Sequence, residues 1–255
     1  PVLPQLRERG VRTVLGRHET EDFTDTDLVI KNPAVPADSP YLAAARSRGV
    51  PVETDLSVFL QLCANPVIGI TGSKGKSTTA SAIWHCLRPA HPGARLGGNI
   101  TVNPLGFLGQ MSAGDPVVLE LSSWQLADLR ESGHPPAPLI SVVTVILPDH
   151  QNKYPDMASY VADMTVLFRS QRPEQHALFN RADPWQASWP ALTRAAVRWF
   201  SPAPLPADTP GAWLESDGAA AWQDRRRLSL PLRNLRLPGE HNRLNLLAAA
   251  LACLV

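Results

Sequence analysis

The run Gly69-Ile70-Thr71-Gly72-Ser73-Lys74-Gly75-Lys76-Ser77-Thr78 brings glycines, a lysine and hydroxyls together at a spacing that suits phosphate. Glycines let backbone N–H groups turn inward on phosphate oxygens, and a following helix N-terminus adds partial positive charge. Lys76 is placed to reach β- and γ-phosphates, and the Ser77 hydroxyl to ligate Mg²⁺. The usual phosphate loop has four residues between its first glycine and Gly-Lys-Ser/Thr. Here there are five counted from Gly69 and two counted from Gly72. A plain glycine-rich turn is the competing reading. The strand expected before the loop and the helix expected after it argue against that.

Three further groups could share the same chemistry. Glu120 closes an apolar run at residues 116–121. An acidic residue at the carboxyl end of a buried parallel strand faces the crevice where open α/β sheets bind ligands, and there it could hold Mg²⁺. Asp149-His150 follows the aliphatic run 139–147, which makes His150 a candidate metal ligand in the same crevice. Gly239-Glu240-His241-Asn242-Arg243-Leu244-Asn245 opens the last helix. Its amides could cap that helix, or Asn242 and Asn245 could read an adenine edge, since an amide offers both donor and acceptor.

These residues need elements to position them. Residues 67–70 read as a short strand running into the loop, with a helix over 77–87. Residues 116–121, 139–147 and 177–180 read as further strands. The first two are almost unbroken apolar runs, which suit strands covered on both faces. Helices are expected over 160–168 and 242–251, and 196–237 holds short strand-like pieces with turns at Gly211, Gly218 and Asp224. Before residue 60 there are apolar runs at 11–16 and 27–31 and a short strand near Val52. A helix over 41–48 has Ser39-Pro40 at its start and Gly49 at its end. Alternating strands and helices imply an α/β fold with a mainly parallel sheet.

Composition narrows the function classes. In 255 residues, 24 Lys+Arg face 23 Asp+Glu, so net charge gives no case for a nucleic-acid or membrane-surface partner. The apolar run at 246–255 falls short of the ~20 residues that span a bilayer, and no signal-peptide pattern opens the chain. Cys63, Cys86 and Cys253 are odd in number and irregular in spacing. They are expected as buried small hydrophobes in a reducing cytoplasm.

Five stretches together resemble the Mur ligase family, ATP-dependent amide-bond-forming enzymes of cell-wall precursor synthesis. They are Gly72-Ser73-Lys74-Gly75-Lys76-Ser77, Gly97-Gly98-Asn99-Ile100, the run 119–126, Asp149-His150 and the run 239–245. Order and spacing hold over about residues 27–255. Ser122-Ser123-Trp124-Gln125 is similar to the branch that joins D-glutamate to UDP-N-acetylmuramoyl-L-alanine.

The resemblance implies a truncated Rossmann-like N-terminal UDP-binding domain over 1–62 and a central P-loop ATPase-type domain over 63–255. It also implies that the C-terminal amino-acid-binding domain is absent from this chain. By the same resemblance Gly72, Ser73, Lys74, Gly75, Lys76, Ser77 and Thr78 hold the ATP phosphates. Ser77 and Glu120 hold one Mg²⁺ and His150 helps hold a second, so that Lys76, Glu120 and His150 are the catalytic set. Asn99, Ser122 and Gln125 contact the muramoyl substrate, and Asn242 and Asn245 contact adenine. A cytoplasmic monomer with no nucleic-acid or membrane partner is implied as well.

Departures from the family pattern are Lys74, Thr101, Val145, Leu147 and, above all, Met164. Most members carry a lysine about fourteen residues after the histidine, whose carbamate helps bind the second Mg²⁺; Met164 stands there, and no lysine follows Lys153. Either the second metal site is altered, or a modified lysine is left out of the written sequence beside Met164. Rival readings are a sibling ligase or folylpolyglutamate synthase-type enzyme, and a degenerate module that binds ATP without ligating.

Overall fold

The computed structural model describes every residue except 1, 101, 151–152, 217–219, 224–226 and 231–236, with the backbone alone for 221–223 and 227–230. Thr101, Gly218 and Asp224 therefore lie outside the described residues. The chain divides into two compact units, 1–54 and 55–255.

The smaller unit holds α1 (Val2–Glu8), α2 (Glu21–Thr24), β1 (Val29–Ile30), α3 (Pro40–Ser47) and β2 (Val52–Glu53). β1 and β2 pair in parallel around Val29, Leu42, Ala45 and Val50. Helix α3 starts at Pro40 after Ser39, and Gly49 follows it with φ 76°, as the sequence leads one to expect. Residues 11–16 form no strand: Val11 and Leu15 are exposed, so the run has no buried face to pack.

The larger unit begins with α4 (Asp55–Leu62), which moves the division eight residues before the 62/63 boundary read from the sequence. The reason is packing, because Leu56 and Phe59 join the large core with Leu119, Leu126 and Phe107. Next come β3 (Val67–Thr71), α5 (Lys76–Leu87), β4 (Arg95–Gly98), α6 (Leu105–Leu108), β5 (Val117–Glu120) and α7 (Ser123–Glu131). They are followed by β6 (Ile140–Val143), α8 (Met157–Arg169), β7 (His176–Asn180) and a 3₁₀ segment (Pro184–Leu192). The unit closes with β8 (Ala196–Ser201), β9 (Gly211–Leu214), β10 (Ala220–Gln223), β11 (Arg227–Leu230) and α9 (Glu240–Leu254).

One sheet orders these strands β11-β10-β9-β8-β7-β6-β3-β5-β4. The pairs from β4 across to β9 are parallel, and the two pairs beyond β9 are antiparallel. The sheet is covered on both faces. Val117, Leu119 and Val143 pack with α4, α7 and α8, while Ile68, Ile70, Val118 and Val142 pack with α5 and α9. Strand alternation decides which side chain goes where. Glu120 shares the face of Val118, which is the side of α5. Gly69 on β3 has no Cβ because one would stand 2.7 Å from Leu167 Cδ1 of α8.

Strand β6 is shorter than the run 139–147 suggests. After Val143 the chain turns to the loop beyond β3: Thr144 N–H still donates to Thr71 O at the end of β3, but Thr144 Oγ1 donates to Lys74 O and Val145 O accepts from Ser73 N–H. In β4, Arg95-Leu96-Gly97-Gly98 shows neither alternation nor β-branching to announce a strand; it pairs with β5 at the end of the sheet order, and Gly98 also bridges Val102.

Candidate functional site

The loop at residues 72–75 joins the carboxyl end of β3 to the amino end of α5. Gly72 and Gly75 hold φ 137° and 88°, a region that favours glycine. Each is also closely approached. A Cβ on Gly72 would lie 2.0 Å from Thr144 Oγ1, and one on Gly75 would lie 2.3 Å from Asn245 Oδ1. The loop is thus clasped from two sides, by the exit of β6 and by α9.

Ser73 anchors the first clasp. Its hydroxyl accepts from Leu147 N–H at 2.9 Å, lies 2.9 Å from Leu147 O and shares a 3.0 Å hydrogen bond with the Tyr160 hydroxyl. Its own N–H goes to Val145 O at 2.7 Å, so it is not among the amides turned to an anion. Thr144 Oγ1 donates to Lys74 O at 2.7 Å. Val145 and Leu147, the two apolar departures, act here through their backbones, which is why apolar side chains serve.

Lys76 curls over the loop. Its Nζ donates to Gly72 O at 2.7 Å and to Ser73 O at 3.1 Å, which sets the cation against the concave backbone. Burial pulls its pKa below the usual lysine value; Glu120 and Asp149 oppose that, and Lys74 adds to it. Ser77 is exposed on the first turn of α5 and Thr78 is half-buried beside it. Lys74 points outward and pairs with Asp149 at 3.0 Å. That partner holds the Asp149 carboxyl below the usual range.

Glu120 sits on β5 in register with Ile70 of β3, and it is 3% exposed. Asn99 Nδ2 donates to its Oε1 at 3.0 Å, while Oε2 is buried with no hydrogen-bond partner. Leaving a buried carboxylate oxygen unmatched is costly, and such a group calls for a cation. The donor set fits a hard divalent ion such as Mg²⁺, with Glu120 and the Ser77 hydroxyl as protein ligands and phosphate oxygens or water completing the shell. Among the described residues no group of three or more His, Cys, Asp and Glu forms a closed all-protein metal site.

The other half of the site differs. His150 is exposed with φ 53°, and its ring lies against Trp124 (5.2 Å) and Tyr160 (6.2 Å). Lys153 Nζ stands 3.5 Å over the Trp124 ring. Met164 on α8 is 2% exposed inside the apolar cluster of Val161, Leu167 and Phe168. A thioether is a soft donor, so Met164 supplies no ligand suited to Mg²⁺. Its neighbour Asp163 pairs with Arg130.

The remaining sequence-marked residues divide. Asn99 orients Glu120, and Asn245 packs on Gly75. Asn242 Nδ2 donates to Pro238 O at 2.7 Å. Ser122 and Gln125 form a capping box that starts α7: Ser122 N–H donates to Gln125 Oε1 at 3.0 Å and Ser122 Oγ accepts from Gln125 N–H. Sequence reasoning missed Tyr160, Thr144 and Asp183. The last accepts from Ile146 N–H at 2.6 Å and Trp185 N–H at 2.9 Å, and burial pushes its pKa up. Of these only Asp183 carried a signal, as the last polar residue before Pro184. The cysteines also differ from expectation, since Cys63 is half-buried and Cys86 and Cys253 are exposed. A cavity of 660 Å³ between Leu60, Cys63, Pro138 and Leu167 has no charged residue in its lining and offers no phosphate chemistry.

A family model described as the Mur ligase middle domain matches residues 70–253. A relative from Treponema pallidum (strain Nichols), named UDP-N-acetylmuramoylalanine--D-glutamate ligase, is 40% identical over 100% of this chain and 53% of its own length. One of the same name from Roseiflexus sp. (strain RS-1) is 35% identical over 98% and 55%. The chain thus spans about half the length of these curated relatives. Among solved structures, UDP-N-acetylmuramate:L-alanyl-gamma-D-glutamyl-meso-diaminopimelate ligase from Neisseria meningitides shares the fold at TM-score 0.62 and 18% identity, covering 99% of this chain and 82% of that one. MurF ligase from Thermotoga maritima in complex with ADP aligns at TM-score 0.53 and 13% identity, covering 92% and 61%. Among the described residues no helix is long and apolar enough to cross a membrane.

Proposed function

Because the chain belongs to the Mur ligase family, we propose that it forms the nucleotide-binding centre of an ATP-dependent ligase that joins D-glutamate to UDP-N-acetylmuramoyl-L-alanine. One observation carries the reading. The buried, unpartnered oxygen of Glu120 stands on the strand beside the one that feeds the Lys76 loop. The names of the curated relatives favour D-glutamate as the incoming amino acid. A cytoplasmic monomer is part of the same proposal.

The obstacle to this reaction is charge, because the acceptor carboxylate and the triphosphate are both anions. Lys76 lies on the loop backbone where β- and γ-phosphate oxygens would come, and loop amides and the start of α5 add partial positive charge. Bound Mg²⁺, held by Glu120 and Ser77, would supply further charge neutralisation. Asn99 holds the other carboxylate oxygen, Oε1, and so fixes the orientation of Glu120, which would leave Oε2 for the ion. The γ-phosphoryl group passes to the alanyl carboxylate, the D-glutamate amine attacks the acyl phosphate, and phosphate leaves. Positioning and electrostatics do most of the work in such transfers.

The test is phosphate release by the protein with Mg·ATP, requiring both UDP-N-acetylmuramoyl-L-alanine and D-glutamate. Equal release with another amino acid favours a sibling ligase. ATP binding without release in any combination favours the second reading, a nucleotide-binding module that no longer ligates. Met164 in its apolar cluster is the observation on that side.

A further inference from the structure

The 660 Å³ cavity lies at the other end of the sheet from the phosphate loop, by the amino ends of β3 and β6. Leu60, Cys63 and Ala64 form one wall, and the linker at residues 133–139 forms the other. Small-molecule sites occupy about 300–1,000 Å³. The inner wall is closed by Leu121, Pro138 and Leu167. All three converge on Gly69, where a Cβ would stand 3.5, 3.6 and 2.7 Å from them. Both outer walls are tied back by side-chain amides. Asn65 Nδ2 donates to Ser112 O at 2.7 Å and to Asp115 O at 3.0 Å, which pins the segment between α4 and β3. Gln171, fully buried, accepts from Ser141 Oγ at 2.9 Å and donates to Pro138 O and His176 O, each at 2.9 Å. Gln175 Nε2 donates to Ala137 O at 2.8 Å. Protein interiors close-pack unless something holds their walls apart, and these anchors do so.

We propose that this cavity is a binding site for a neutral, largely apolar small molecule, separate from the nucleotide cradle. The lining selects that class. No Asp, Glu, Lys or Arg takes part in it. The prolines at 135, 136 and 138 have no N–H to offer. The amides of Asn65 and Gln175 are turned to backbone partners, and Gln175 Oε1 also accepts from Arg172 N–H at 2.6 Å. A charged guest would lose its hydration here with nothing to offset the loss. An uncharged apolar body gains by leaving water and meets leucine, proline and thiol surfaces. The anchors keep the walls in place beforehand, so binding does not have to order them.

The experiment is a calorimetric titration of the protein with two probes that share a ring system, neutral 2-naphthylmethanol and anionic 2-naphthoate. The alcohol should bind with a Kd of about 1 mM or tighter. The carboxylate should bind at least about tenfold more weakly, because no cation lines the cavity. Ala64→Trp and, from the opposite wall, Ala137→Trp place a large ring at exposed positions of the lining. Each should weaken the alcohol by about tenfold or more. No binding of the alcohol, equal binding of both probes, or unchanged binding in both variants overturns the site. So does sedimentation showing that the chain self-associates and that the alcohol binds only the dissociated form, which would make this face an interface between copies. The measurement needs no nucleotide, so its failure and the failure of the ligase reading are distinguishable.

Discussion

The two halves of the candidate site are built differently. On the β3–β5 side a glycine loop, a lysine and a buried carboxylate are held by hydrogen bonds from Thr144, Ser73 and Asn99, and one oxygen of Glu120 is left for a cation. On the β6–α8 side His150 leans on aromatic rings, and the position where a lysine is usual holds a methionine inside apolar packing. Both halves sit at carboxyl ends of the same parallel sheet, so the difference lies in side chains and not in architecture. It teaches that the donors the proposed phosphate and first-ion chemistry would use are gathered on one side, while Met164 offers no hard metal ligand on the other.

That contrast can be broken or sharpened by substitution. Lys76→Ala should have the largest effect, lowering the rate of ATP-dependent phosphate release by about 10³-fold or more, because it removes the cation set against the loop. Near-normal turnover would end the assignment of the polar half. Glu120→Gln should come next, with a loss of about 10²-fold and a clear weakening of Mg²⁺-dependent nucleotide binding in a metal titration. Chelation of Mg²⁺ should have the same sign. Gly72→Ala forces a Cβ onto Thr144 and a side chain into φ 137°. It should cost about 1–3 kcal/mol in denaturant unfolding and weaken ADP binding with it.

Met164→Leu keeps volume and should cost less than about 1.5 kcal/mol, leaving nucleotide affinity unchanged. A collapse of metal-dependent activity in that variant would mean that the apolar half takes part in ion binding after all. The smallest effect belongs to Lys74→Ala, which breaks an exposed pair worth under about 1 kcal/mol. The sign of its pH dependence is fixed. Asp149 titrates below its unfolded value because of Lys74, so the stability it adds is present above about pH 4 and is lost as pH falls through the lowered folded pKa. Wild type and variant should therefore converge in acid, and a gap that widens there would contradict the pairing.

Much of this was legible before the fold. The glycine-lysine-serine run could serve little else once strand and helix flanked it, and Glu120 was marked by lying at the end of an apolar run. The helix starts at Pro40 and the stop at Gly49 follow from local chemistry. Ser122 and Gln125 could not be judged this way. A capping box and a substrate contact use the same residue types, and the structure gives both side chains to the box. Strand β6 also ended earlier than its run of aliphatics, since Thr144 and Val145 have partners in the loop that no local pattern announces.

The sequence by itself determined which residues are candidates for holding phosphate and the α/β alternation that carries them, because both depend on residues close together in the chain. Only the tertiary structure decided which groups meet. Ser73 joins Tyr160 across 87 positions, and Thr144 joins Lys74 across 70. Such pairings arise from strand order and helix packing, and a one-dimensional spacing carries no record of either.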